Sequence, residues 1–261
     1  MKYAVKQLFV VSAVCLAAGV ANAANVVVPA GTTYHGTQFD GSLKLSLSAD
    51  VLGAFDTTRV QVSAYAPGAV AMSKDTDGFY LQASSLAPLN SLTFDSSNNA
   101  LTAASSKGGM TLTQPILKSV SSGGSLTITD LDVDVTHKQV YATLIGGNGV
   151  GTVNHLRLLN IASITGGAAE HGFNSNCGFY NDCIFWTPSF TLTGLSMTTE
   201  GFNLISQALG MQRIGSLALA GISDFGTITS TAVPEPTTCV LMGMGLVGVI
   251  AAGRRRLDSQ T

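Results

Sequence analysis

The sequence predicts a mainly β protein: an antiparallel β-sandwich, or two small β-units, with one short helix. Three observations carry this. Short runs with period-2 alternation of apolar and polar residues recur through the middle of the chain. Ser, Thr, Gly and small apolar residues are abundant while charged residues make up 11%, the make-up of a β-protein with polar turns. Only one stretch has convincing helical periodicity. The two ends read differently, as an N-terminal signal peptide and a C-terminal short transmembrane tag.

At the N-terminus, Lys2 and Lys6 precede an uncharged apolar run from Leu8 to Val20, and Ala21-Asn22-Ala23 follows. Basic, apolar and small-residue regions in that order make a secretory signal peptide. The run is too short for a comfortable membrane span. Ala21 and Ala23 are the small residues a signal peptidase reads, so residues 1–23 are expected to be removed and Ala24 to begin the mature chain. Cys15 follows Ser12-Ala13-Val14, which lacks a lipoprotein signature.

The body, residues 24–232, is long enough to bury a sizeable core. It holds eight Lys or Arg against thirteen Asp or Glu. A mildly acidic body without a basic run offers no footprint for nucleic acid. Strands are expected at Leu43–Leu47, Val60–Tyr65, Ser91–Phe94, Thr111–Thr113, Leu126–Thr129 and Leu131–Val135. Val140–Ile145 and Val153–Leu159 flank Gly146-Gly147-Asn148-Gly149-Val150-Gly151, and Asn-Gly between apolar runs is a strong hairpin signal. The stretches from Asp95 to Gly109 and from Ser119 to Gly124 read as loops, and the body is open to subdivision near 119–124. The helix is expected after Thr199, its N-cap, with Phe202, Ile205 and Leu209 on one face and Gly210 as the stop.

Cys177 and Cys183 flank a five-residue segment. Outside the cytoplasm two such thiols are expected to form a disulfide. A metal site with His171 is the alternative, but the spacing fits no zinc pattern. Phe179, Tyr180 and Trp186 form the richest aromatic patch, readable either as stacking faces for a sugar or as core. Asp130, Asp132 and Asp134 suggest calcium, yet an EF-hand would need Gly and Glu where Val135 and Tyr141 stand. At strand spacing the three are expected to line one solvated face. The Gly146–Gly151 run precedes a strand, which disfavours a dinucleotide loop. His35, His137, His155 and His171 are scattered, no Gly-x-Ser-x-Gly elbow occurs, and the body has only two Glu. The chain is therefore read as no enzyme, with no cofactor and no metal. The Thr-x-Thr pairs lack the even spacing an ice-binding ladder requires.

The C-terminal segment, residues 233–261, has three parts in order. Pro234-Glu235-Pro236 is held extended by its prolines. The apolar run Cys239–Ala252 is short for a permanent span. Arg254-Arg255-Arg256 resists crossing the membrane and favours the cytoplasmic side. These residues resemble the PEP-CTERM sorting signal of Gram-negative bacteria. The resemblance implies recognition by a membrane-embedded exosortase, cutting near Pro-Glu-Pro, in species that make an exopolysaccharide matrix. The expected partners are thus signal peptidase and the secretion translocon, an exosortase, the inner membrane transiently, and exopolysaccharide. The expected function is an exported cell-envelope or biofilm-matrix protein at the cell surface. The alternative is a secreted carbohydrate-binding module, with an ice-binding protein or hydrolase behind it.

Overall fold

The structure, a computed structural model, describes residues 25–34, 37–166, 172–173, 184–185 and 189–235. Strands β1 (Asn25–Pro29), β2 (Thr33–Tyr34) and β3 (Thr37–Leu47) lead into helix α1 (Ala49–Thr58). Then come β4 (Gln61–Tyr65), β5 (Ala69–Lys74), the long β6 (Tyr80–Asp95), β7 (Leu101–Ser106) and β8 (Gly109–Leu117). They are followed by β9 (Ser121–Asp134), β10 (Gln139–Gly146) and β11 (Gly151–Gly166). A separate two-stranded sheet pairs β12 (Gly172–Phe173) with β13 (Ile184–Phe185). Then come β14 (Phe190–Met197), α2 (Thr199–Ala208), α3 (Arg213–Ala220) and β15 (Gly226–Glu235).

Eight of these strands close into an antiparallel barrel in the order β6-β3-β15-β14-β11-β10-β9-β7 and back to β6. Closure depends on β7, which pairs with β6 along one edge and with β9 along the other. Ala104 stands opposite Leu92 on one side and Val133 on the other. A closed wall leaves no edge of its own to aggregate. β1 and β5 extend the pairing of β6, and β8 and β4 extend that of β9.

Alternation decides what faces in. Leu43, Leu92, Phe94, Leu126, Val133, Leu144, Leu192, Leu195 and Ile228 are all fully buried. Between them on the outside stand residues such as Lys44, Asp132, Tyr141, Thr143, Thr191 and Thr229, each partly exposed. An apolar interior with a polar outer face is the arrangement of a barrel whose exterior meets water, the reverse of a membrane barrel. Among the described residues no helix is long and apolar enough to cross a membrane.

Helices cover one end. β3 runs to Leu47, where α1 begins behind its cap Ser48, whose Oγ accepts from the Val51 N–H at 3.3 Å. α1 buries Val51, Leu52 and Phe55, while Asp56 accepts the Tyr80 N–H. α2 is capped by Thr198, which accepts from the Gly201 N–H at 3.0 Å. An apolar cavity of about 50 Å³ remains where the helices meet the barrel, lined by Leu45, Val51, Phe55, Leu112, Ile205 and Leu209 among others. With no polar group in its lining to hold water, it is expected to be dry.

Mainly β and antiparallel is what the structure has, but among the described residues it is a closed barrel with three helices in place of a sandwich with one. The expected loop from Asp95 to Gly109 contains β7, the strand that closes the wall. Residues 119–124 end the β8–β9 turn and begin β9, pairing Ser121 with Leu117 and Gly124 with Gln114. The β10–β11 hairpin forms as expected, with Asn148 and Gly149 both at positive φ (53° and 82°), as a primed turn requires. The helix expected after Thr199 is α2, with the cap one residue earlier and Gly210 following its end at φ 62°.

Candidate functional site

Two features stand out, the end of β15 and a cleft on the outer wall. β15 pairs antiparallel with β3 along its full length, from Gly226 opposite Leu47 to Pro234 opposite Phe39 and Glu235 opposite Gln38. Since Leu47 adjoins α1, Glu235 lies at the end of the barrel away from that helix. On its other edge, among the described residues, β15 pairs with β14 at Ile228 and Thr229. Among the described residues, its partner from Ser230 onward is β3 alone. A proline, lacking an N–H, is tolerated on such an edge. The backbone of Pro234 and Glu235 is therefore the last part of the barrel wall. Pro236 and Arg254, Arg255 and Arg256 lie outside the described residues.

The cleft lies across β6, β7, β9, β10 and β11. Its volume is about 250 Å³, and its lining includes Asn90, Lys107, Asp130, Asp132, Tyr141 and His155. Three irregularities of the ladder meet there. Leu89 and Ser91 of β6 oppose Ser106 and Ser105 of β7, so Asn90 is extra. Tyr141 and Thr143 of β10 oppose Asp132 and Thr129 of β9, which leaves Asp130 and Leu131 facing Ala142. Ala142 and Leu144 oppose Leu156 and Val153 of β11, so Asn154 and His155 face Thr143. Asp130 and His155 sit at φ 53° and 50°, a left-handed conformation costing on the order of 1 kcal/mol each for a non-glycine residue. Bulges re-aim side chains. Here they bring Asn90, Asp130 and His155 into one depression.

The side chains are held by one another. Asp130 Oδ1 accepts the Gly108 N–H and the Thr129 hydroxyl, each at 3.1 Å. His155 Nε2 lies 3.3 Å from Asp132 Oδ2. The imidazole packs on the Tyr141 ring with centroids 4.3 Å apart, and the Tyr141 hydroxyl donates to Gln139 Oε1 at 2.6 Å. With the His155 and Asp132 side chains 62% and 42% exposed, the pair adds little to stability. The cleft offers carboxylate acceptors, amide, hydroxyl and ammonium donors, and one aromatic surface. Among the described residues no three His, Cys, Asp or Glu converge as metal ligands.

The three aspartates do not form one solvated row. The bulge diverts Asp130 into the cleft beside Asp132. Asp134 instead holds the β9–β10 turn, accepting the His137 N–H at 2.8 Å and lying 2.7 Å from its Nδ1. Pairing of His155 with Asp132 was not legible in the chain, because it depends on β9 and β11 flanking β10. The signal peptidase residues Ala21, Ala23 and Ala24 lie outside the described residues, as do Cys177, Cys183, Phe179, Tyr180 and Trp186. The chain on either side of both cysteines is described: Gly172 pairs with Phe185 and Phe173 with Ile184.

Residues 232–256 match the PEP-CTERM protein-sorting motif. No curated protein and no solved structure matches the chain. The motif implies an exosortase as processing partner and an exported protein that transits the membrane and is processed at the envelope. The chain thus joins a closed antiparallel barrel directly to a PEP-CTERM sorting motif, which marks it as an exported, exosortase-sorted protein.

Proposed function

We propose that the protein is a structural or binding component of the cell surface or exopolysaccharide matrix of a Gram-negative bacterium, and not an enzyme. In this reading signal peptidase removes residues 1–23 after export through the translocon. The apolar run then holds the precursor in the inner membrane, with Arg254–Arg256 on the cytoplasmic side. Exosortase cuts near Pro234-Glu235-Pro236 and frees the barrel for the surface or matrix. The match of 232–256 to the sorting motif carries the reading.

The join between barrel and motif supports it. Only Pro236, Thr237 and Thr238 separate Glu235 from the apolar run, a reach of at most about 14 Å from Glu235 to Cys239. The precursor barrel is therefore held close to the membrane surface, with the last rungs of β15 as its nearest part. A Cys177–Cys183 disulfide fits the β12–β13 pairing, which draws together the chain flanking both residues.

Fractionation of the host with and without its exosortase tests the proposal. The expected result is a full-length precursor accumulating in the inner membrane of the deletion strain. Unchanged release or surface display in that strain would contradict it.

A further inference from the structure

We propose that the outer-wall cleft binds saccharide units that carry no acidic group. The inference rests on the matrix setting proposed above for its supply of polysaccharide, but its argument is the chemistry of the cleft. Three separate bulges, on β6, β9 and β11, each deliver a polar side chain to this one depression. Asp130 is presented with one oxygen fixed by Gly108 and Thr129, which leaves the other to accept from a ligand. Asp132 is likewise engaged through one oxygen only, by His155.

The lining selects the ligand class. Its only aliphatic side chain is that of Ala142, so an apolar molecule gains little. Vicinal hydroxyls suit paired acceptors and donors: they donate to Asp130 and Asp132 and accept from Asn90, Lys107 and Thr143. The Tyr141 ring, steadied by His155, offers an apolar surface for the C–H face of a pyranose. Two carboxylates against the single Lys107 disfavour uronic acids, phosphates and sulfates. A volume of about 250 Å³ lies below the range of about 300–1,000 Å³ for sites that enclose drug-sized ligands. It fits one or two rings of a longer chain lying across the wall.

The test uses the purified full chain in detergent, titrated by calorimetry with dextran, chitosan oligomers and alginate as neutral, amino-bearing and acidic probes. Dextran or chitosan should bind, and alginate at least about tenfold more weakly. Asp132→Asn and Tyr141→Ala should each weaken that binding about tenfold or more, as expected for losing a charged acceptor or a stacking surface. Thermal melts identify any variant that fails to fold, and Asp132→Asn, which keeps size and shape, decides the matter alone if Tyr141→Ala does. Failure of both dextran and chitosan to bind overturns the proposal. So does binding that survives Asp132→Asn unchanged, which would move the site elsewhere, for instance to Phe179, Tyr180 and Trp186. Calcium binding abolished by Asp132→Asn, without saccharide binding, also overturns it. Exosortase-dependent processing of the same variants is scored in parallel. A cleft that fails while processing continues leaves the sorting reading standing, and lost processing in the parent identifies failure of that reading instead.

Discussion

Placing a charge at Ala104 in β7 separates a closed barrel from an open sheet with a polar loop. Ala104 is 1% exposed and stands between Leu92 on β6 and Val133 on β9, which are 2% and 0% exposed. The Ala104→Asp carboxylate would enter an apolar interior with no partner. An uncompensated buried charge costs about 3–5 kcal/mol, against a total stability of about 5–15 kcal/mol for a domain. With about 2–4 °C per kcal/mol at this size, the melting temperature should fall by roughly 6–20 °C. The loss should shrink as pH falls, because protonation discharges the introduced acid. The control is Ala103→Lys, on the outer side opposite Asp134, which should stay within about 0.5 kcal/mol. The assay is urea unfolding and a thermal melt followed by circular dichroism. If Ala104→Asp also stays within about 0.5 kcal/mol, then β7 is a surface loop and the closed barrel is refuted.

Three further perturbations probe the scaffold. Thr198→Ala removes the α2 cap and the bond its hydroxyl donates to the Arg157 carbonyl at 2.7 Å, so urea unfolding should show a loss of about 1–2 kcal/mol. Gly226→Ala places a Cβ against the Ser46 carbonyl oxygen at φ 126°, where β15 begins. It should cost more than about 1 kcal/mol, and a neutral result by the same method would show that β15 does not start there. Asp95 accepts the Ser97 hydroxyl and N–H at the β6–β7 turn, which holds its carboxyl below the usual range. Its contribution to stability is thus present above the ordinary aspartate pKa and lost as pH falls through the lowered value. A carboxyl NMR titration placing Asp95 at or above the usual value would contradict this.

What the chain made legible, and what it hid, follows from how far apart the deciding residues lie. β3, β9, β10 and β11 announce themselves because one apolar face alternates with one polar face. β7 does not: Thr102-Ala103-Ala104-Ser105-Ser106 reads as loop, since small side chains carry almost no periodic contrast. Its strand state comes from the two neighbours it bridges, so barrel and sandwich could not be told apart. α1 carried a signal, Ser48 as cap with Val51, Leu52 and Phe55 on one face, but Gly53 and two threonines at its end weaken the helical pattern. The sorting segment was fully legible because its chemistry is local: two prolines, an apolar run and three arginines in succession. The cleft was not, because bulges place it. Nothing near Asp130 in the chain reveals that β10 has one residue where β9 has two, or that His155 stands across it.

The most direct measurement of the central claim replaces Pro234-Glu235-Pro236 by alanines and follows the protein through fractionation. Alanine pairs in a strand as readily as the residues it replaces, so the pairing of β15 with β3 should persist and the barrel should fold. The apolar run and Arg254–Arg256 are untouched, so insertion should persist as well. What is lost is the motif an exosortase would read. The parent should yield a surface or released form shorter than its membrane form by roughly 25 residues, about the length of the matched segment, 232–256. The alanine variant should stay full-length in the inner membrane. Processing and release of the variant as efficient as those of the parent would contradict the account.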